Sequence, residues 1–408
     1  MKQRYQYRIY PTPQQQSDLS RLFGCCRVVF NDDLALCRLA EKLPSNGELQ
    51  KSCITVAKKT EDREWLSEVS NIPLQQSVID LGTAYTNYFV SLKGVRKGQK
   101  IRRPNFKKRK GRQTARFRKG GFSIKTGKVF LAKIGLIKVV WSRDLPSEAS
   151  SVTVIKDAAD RYFVSFVVEV CWAGDPPSNP IQLPDNGKSI GIDLGIIDFA
   201  TFDTGEKIKS PKPLKRRLKK LRKAQRKHAR TDRGSNRRER ARKRVAKIHA
   251  KISDVRKDFL HKLSTRIIRE NQTIVLEDLA VANMVKNRKL SRAISDLGWR
   301  SFRTMLEAKS AMYGRDFRVI SRWEPTSQRC SCCGEIGGKK ELSVREWTCL
   351  FCDAIHDRDV NAAVNIKVAG GLPETINGRG GSRKTTVIVA ASCEASTIPL
   401  VKQLSLFH

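Results

Sequence analysis

Of the residues from 211 to 257, 22 are Lys or Arg and three are acidic. Beneath that charge an apolar residue returns every three or four positions: Leu214, Leu218 and Leu221, then Val245, Ile248, Ile252, Val255, Phe259 and Leu263. This period builds helices with one packing face. The break at TDRGSN (231–236) divides the stretch into two of them. A core can take only the apolar face. The other face must point outward, where its charges repel one another unless a polyanion answers them. The whole chain repeats the imbalance, with 80 Lys and Arg against 40 Asp and Glu over 408 residues, a formal net charge of +40. Phosphate backbones neutralise such a surplus and release counterions as they do so. Nucleic acid is therefore the expected partner, in preference to a merely solvated pair of charged helices.

Length and apolar content frame the rest. Hydrophobic residues make up 39% of the chain, which supplies real cores, and 408 residues allow two to four domains. No run approaches the ~18 apolar residues of a membrane-spanning helix. The N-terminus, MKQRYQYRIYPTPQQQ, carries no signal-type apolar run. The expectation is a protein without a membrane partner, in the cytoplasm beside the nucleoid. Residues 3–10 read as a strand stopped by Pro11 and Pro13. Residues 14–95 carry helical periods, and 114–170 shorten to period two, with a Thr-Gly turn inside FSIKTGKVFLA. That pattern predicts a β-meander or small barrel. Four Pro and two Gly in 172–187 mark a linker. Beyond it, a strand ends near Asp193, another ends at Glu277, 294–314 reads as one amphipathic helix, and a last helix begins near Asp359.

Two motifs carry chemistry. Cys330-x-x-Cys333 and Cys349-x-x-Cys352, fifteen residues apart, have the spacing of one tetrahedral zinc. Four thiolates close such a site, so it is structural. Cys332 could compete for the ion, and Gly334 favours Cys333. The other six of the eleven cysteines read as buried thiols. The second motif is three separated carboxylates, Asp193, Glu277 and Asp359, at strand ends and a helix start. Each alone has ordinary uses; Asp359 could cap its helix. Together they could hold Mg²⁺ through hard oxygen ligands. Asn361 and Asn365 would share a face near them, as site residues or as packing amides. No P-loop and no paired-histidine nuclease pattern occurs in the sequence.

The order of motifs resembles the TnpB family of insertion-sequence proteins, relatives of the compact type V CRISPR effectors. The likeness runs from RIYPTPQQ and FGCCRVVFN through LQQSVIDLGTAYTNYF, RRPNFKKRK, GIDLGIIDFATFDTG, VLEDLAVANMVKN and WRSFRTMLEAK to TSQRCSCCG, TCLFC and HDRDVNAAVNI. It implies an α+β multidomain fold. A wedge β-barrel (1–12 and 112–180) would hold a helical recognition insert (13–111). An RNase H-like RuvC nuclease domain (181–325 and 355–370) would hold a zinc ribbon (326–354), and 371–408 would form a flexible tail.

The resemblance also implies an RNA-guided DNA endonuclease. A guide RNA from the transposon end would read the target, and the protein would read a short flanking motif in double-stranded DNA. One Mg²⁺-dependent RuvC site would cut both strands. The family's catalytic acids, which are also the Mg²⁺ ligands, fall on Asp193, Glu277 and Asp359. Its zinc ligands fall on Cys330, Cys333, Cys349 and Cys352. Nucleic-acid contacts are expected at Gln75, Gln76, Arg102, Arg103, Lys107, Lys108, Arg216 and Lys220, with a monomer in the ribonucleoprotein. Two alternatives stand beside this reading: a nuclease-inactive RNA-guided binder or repressor, and a transposase or accessory DNA-binding protein.

Overall fold

A computed structural model of the chain describes residues 2–95, 99–109, 111–170, 183–341 and 343–372. The linker expected at 172–187 as far as residue 182, and the tail from 373 onward, lie outside the described residues.

Strand β1 (Lys2–Tyr10) ends at Pro11, and helix α1 (Pro13–Leu39) begins at Pro13. Thr12 caps α1 through a reciprocal box with Gln15, which satisfies two amides that the first helical turn leaves free. Short helix α2 (Asn46–Gln50) leads through a π-helical turn and two 3₁₀ turns to α3 (Asn71–Leu92), which packs on α1. Six strands follow: β2 (Gln113–Arg118), β3 (Phe122–Lys125), β4 (Lys128–Leu131), β5 (Gly135–Val140), β6 (Ala149–Lys156) and β7 (Tyr162–Glu169). With β1 they form an antiparallel sheet in the order β2-β6-β7-β1-β5-β4-β3. The turn between β3 and β4 uses Thr126 (φ 44°) and Gly127 (φ 71°), the positive pair that a type I′ hairpin demands.

This sheet curls. Four strand spacings separate β3 from β7, roughly 19 Å in a flat sheet. Yet the rings of Phe122 and Phe166 lie 6.4 Å apart, and Trp141 stacks on Phe166 at 5.6 Å. The strands wrap an aromatic core, and the buried faces of α1 and α3 belong to the same core.

The second half is built on β8 (Ser189–Asp193), β9 (Ala200–Phe202) and β10 (Lys207–Ile208), then α4 (Pro213–Ala229) and α5 (Asn236–Glu270). β11 (Thr273–Glu277), α6 (Val281–Met284), α7 (Ser291–Leu297), α8 (Trp299–Tyr313) and β12 (Asp316–Ile320) come next. The hairpin β13 (Glu346–Thr348) and β14 (Ile355–Asp357) precedes α9 (Arg358–Ala369). The sheet order is β10-β9-β8-β11-β12. Its first three strands are antiparallel, whereas β8, β11 and β12 run parallel. The single helix expected over 294–314 is two helices. Gly298 sits between them at φ 78°, a left-handed turn that ends α7 and starts α8.

Alternation along the strands assigns the two faces of this sheet. Ile190, Ile192, Ile274 and Leu276 pack with Leu260, Leu263 and Ile267 of α5 and with Phe302 and Leu306 of α8. The intervening residues, Gly191, Asp193, Val275 and Glu277, face α9. Val275 packs with Ile366, and Gly191 abuts Ala363. α4 and α5 pair through Leu221, Ala224, Ile248 and Ile252. Among the described residues no helix is long and apolar enough to cross a membrane.

Candidate active site and four-cysteine centre

Asp193 ends β8 and Glu277 ends β11. The two strands are parallel neighbours, with Ile192 beside Leu276 one residue earlier, so the two carboxylates emerge side by side on one face. α9 crosses that face and brings Asp359 in its first turn. Asp357 acts as N-cap, accepting from the amides of Asp359 and Val360 at 3.1 and 3.0 Å. Asp359 is therefore free of the capping role. Asp193 thus comes within electrostatic reach of Glu277, 84 positions on in sequence, and of Asp359, 82 further, although the three carboxylates do not close to within 4.8 Å of one another as the cysteine sulfurs do. Burial, and then the charges of Asp359 and Glu277, push Asp193 up to about 7. Burial and the charge of Asp278 raise Glu277 as well. A buried carboxylate raised by its acidic neighbours, as Asp193 is, favours a divalent cation, whose charge relieves both the crowding and the burial. The donor set therefore fits hard ions such as Mg²⁺.

Cations bond Asp359 and the acids near the trio in sequence. Arg345 approaches Asp359 at 3.4 Å, and Lys207 bonds Asp357 at 2.6 Å. Arg303 and Arg322 each bond one oxygen of Asp278, the residue after Glu277. None of these partners was legible in the sequence, because single Arg and Lys residues in a chain this basic carry no signal.

Residues expected to share a metal do meet. The sulfurs of Cys330, Cys333, Cys349 and Cys352 lie within 4.8 Å of one another, and Cys330–Cys352 and Cys333–Cys349 are both 3.7 Å apart. A tetrahedron with metal–sulfur arms of ~2.3 Å has edges of about 3.8 Å, so this spacing fits zinc. Each knuckle is a tight backbone turn: Gly334 N–H donates to the Cys330 carbonyl and Asp353 N–H to that of Cys349. The Phe351 amide donates to Cys349 Sγ at 3.5 Å and holds that thiol below its usual range. Cys332 is exposed and joins only a second grouping with Cys330 and His356. His356 Nε2 lies 3.0 Å from Cys330 Sγ. Asn361 and Asn365 turn out to be packing amides. Asn361 accepts from Ser331 N and donates to Arg329 O, and Asn365 donates to Thr326 O and Arg329 O. They tie α9 to the loop that carries Cys330.

The residues expected to touch nucleic acid fall into three groups. Gln76 is buried, its amide on Asp80 at 3.2 Å, whereas Gln75 beside it is exposed. Arg102, Arg103, Lys107 and Lys108 are exposed on the segment before β2, with the Lys107 ammonium 3.6 Å from the centre of the Phe30 ring. Arg216 and Lys220 are exposed on α4. Along that helix and onto its C-cap, Lys215, Lys219, Arg222, Arg226 and Arg230 follow at three- and four-residue steps, opposite the face that packs on α5. α4 carries nine Lys and Arg and no acid. Its start is held by Asp296 of α7, which accepts from the amides of Leu214 and Lys215 and pairs with Arg256 at 3.0 Å.

Comparison with known proteins places these features in context. Residues 168–288 match a family profile described as "Probable transposase" (OrfB of IS605), and 299–366 match a Cas12f1-like TNB domain. Residues 1–41 match a helix-turn-helix profile, although the structure there holds one strand and one long helix. A Streptomyces pristinaespiralis protein named "Putative RNA-guided DNA endonuclease" is 45% identical, covering 91% of this chain and 90% of its own. InsQ of Escherichia coli K12, with the same description, is 29% identical over 90% of this chain and 92% of its own. Among solved structures, the Cas12f1–sgRNA–target DNA complex aligns with a TM-score of 0.47 at 15% identity, covering 86% of this chain and 81% of that one.

Proposed function

The chain belongs to the TnpB family, the OrfB proteins of IS605-type elements, and from that premise we propose that it is an RNA-guided DNA endonuclease. A guide RNA from the end of its element pairs with one DNA strand, while the protein reads a short motif in the flanking duplex. The observation that supports the nuclease is that Asp193 and Glu277 end neighbouring parallel strands on the face α9 covers, with Asp193 feeling the charge of Asp359. The sheet, with three antiparallel strands followed by two parallel ones, supports reading 181–325 and 355–370 as a RuvC-type domain of RNase H topology. In the same reading 326–354 is a zinc ribbon, and 1–12 with 112–180 is a wedge barrel around the helical insert 13–111.

Asp193, Glu277 and Asp359 would hold Mg²⁺. Bound there, a pair of ions supplies an activated water and neutralises the leaving oxygen of a phosphodiester. The protein's own part is placement. β8 and β11 present two oxygens side by side, and α9 closes the third edge. Arg345 and Lys207 beside them suit a polyanion entering the same face. One such site would cut the two strands in turn. Cys330, Cys333, Cys349 and Cys352 would hold a structural zinc. The outer face of α4 and the 102–108 segment would grip phosphate backbone. The setting is cytoplasmic, beside nucleoid DNA, and the protein acts as a monomer on its RNA.

The test is expression with the downstream flank of the native gene, sequencing of the co-purified RNA, and incubation with a plasmid library randomised beside the target. Mg²⁺-dependent linearisation that selects one flanking motif, and that vanishes in Asp193→Ala while guided binding remains, is expected. Undiminished cutting by Asp193→Ala would remove the assigned site. A heterogeneous mixture of cellular RNA would remove the guided mechanism.

A further inference from the structure

α9 carries a second feature, on the stretch that packs against β8 beyond Asp359. Lys367 and Asp203 form an ion pair at 2.9 Å with side chains only 2% and 1% exposed. Asp203 follows β9. Its other carboxylate oxygen accepts from Gly191 N at 3.1 Å, and its own amide donates to Gly191 O at 3.1 Å. At Gly191 the backbones of β8 and α9 come close together. A Cβ there would sit 2.2 Å from the Ala363 carbonyl oxygen and 2.8 Å from Lys367 Cβ. The glycine lets the helix backbone touch the strand, and the pair bolts the two together from both sides.

The spacing explains what the bolt does. α9 runs against β8. From Asp359 to Ala363 is one helical turn, about 6 Å, and from Asp193 back to Gly191 is two strand residues, about 6.6 Å. Contact at Gly191–Ala363 therefore brings Asp359 level with Asp193. A slip of one residue along α9 would turn Asp359 by roughly 100° about the helix axis and carry it off the face. A buried ion pair is weak evidence of stabilisation, since replacing one by apolar groups of similar volume is often neutral or stabilising. Fixing a register is the best-attested use of such a group.

We infer that Asp203 and Lys367 are positioning residues that set the register of α9 on β8 and so align Asp359 with Asp193 and Glu277. This rests on the reading of those three acids as a metal-dependent nuclease site. The neutral double variant Asp203→Asn with Lys367→Met, which leaves no uncompensated charge, is the probe. Binding of Mn²⁺ to the full chain free of RNA is followed by paramagnetic resonance, alongside thermal unfolding. The expected result is a Tm within a few degrees of wild type, Mn²⁺ affinity at least tenfold weaker, and a matching loss of cleavage in the ribonucleoprotein with guided binding unchanged. Wild-type Mn²⁺ affinity in the double variant overturns the inference.

Hydrogen exchange on the wild-type chain supplies a check that needs no variant to fold. Amides 361–367 are expected to be as protected without metal as with it. Protection that appears only on adding Mn²⁺ would mean that the ion sets the register, and would also overturn the inference. If wild type binds Mn²⁺ no better than Asp193→Ala, the reading of the acids fails instead, and the exchange result alone judges the lock.

Discussion

Asp33 is a fully buried carboxyl in α1. Burial pushes it up to about 7; the thiol of Cys53 opposes that rise and the charge of Asp32 adds to it. Between its ordinary value and about 7 the folded protein keeps a proton that the unfolded chain has lost. Folding therefore binds protons in that window, and stability falls as pH rises through it. Asp33→Asn is expected to flatten the dependence. Its Tm at pH 8 should exceed that of wild type by a few degrees, about 2–4 °C for each kcal/mol recovered, while the two converge near pH 4. Parallel Tm-against-pH curves would show that Asp33 is not the group responsible. The residue scale is also where the sequence was least readable. Lys367 looks like one more surface lysine of a basic chain, and nothing in FDTG announces Asp203 as its partner. Gln76 sits at a position that reads as surface, yet the helix turns it inward. Burial of a polar side chain is decided by which face the neighbouring element covers, and local pattern does not record that.

At the scale of elements the sequence spoke more clearly. Strands β8 and β11, the Thr126–Gly127 hairpin, the α4–α5 break and both cysteine knuckles follow from period, turn residues and spacing. The division of α7 from α8 did not, because Gly298 occurs inside an otherwise continuous apolar period. α4 is the element with the most testable surface. Its outer cations are exposed, and the ion pairs of the helical hairpin among the described residues are made by α5. Replacing Lys219, Arg222 and Arg226 together by Ala should leave Tm unchanged. It should lower the slope of log K for RNA against log salt by about 2–3, one phosphate contact per cation. An unaltered slope would move the RNA to another face. The paired cysteine knuckles give a second prediction at this scale. Cys349→Ser should lower bound zinc on elemental analysis and reduce Tm, because metal binding at such a site contributes directly to folding. The damage should reach the acids, since Asn361 and Asn365 fasten α9 to the Cys330 loop. Full zinc content in the variant would refute the ligand set.

For the molecule as a whole the governing quantity is the surplus of forty positive charges. Self-repulsion of this size destabilises the compact state of the free protein, and most of the ion pairs among the described residues are exposed enough to be screened and offset it little. Added salt should therefore raise the Tm of the RNA-free chain, and bound RNA should raise it further, by about 2.7 kcal/mol of stability when free RNA is at 100 times its Kd. A Tm that falls steadily with salt would mean that the internal pairs outweigh the repulsion. The order in which the chain supplies its acids has a consequence of another kind. Asp193 and Glu277 are synthesised early in the second half, but the third carboxylate arrives with α9, 82 residues after Glu277. At ~5–20 residues per second the ribosome takes several seconds to bridge that gap. On the proposed reading a nascent chain would be chemically silent until α9 has emerged and docked, and any truncation before α9 would leave a nucleic-acid binder that cannot cut.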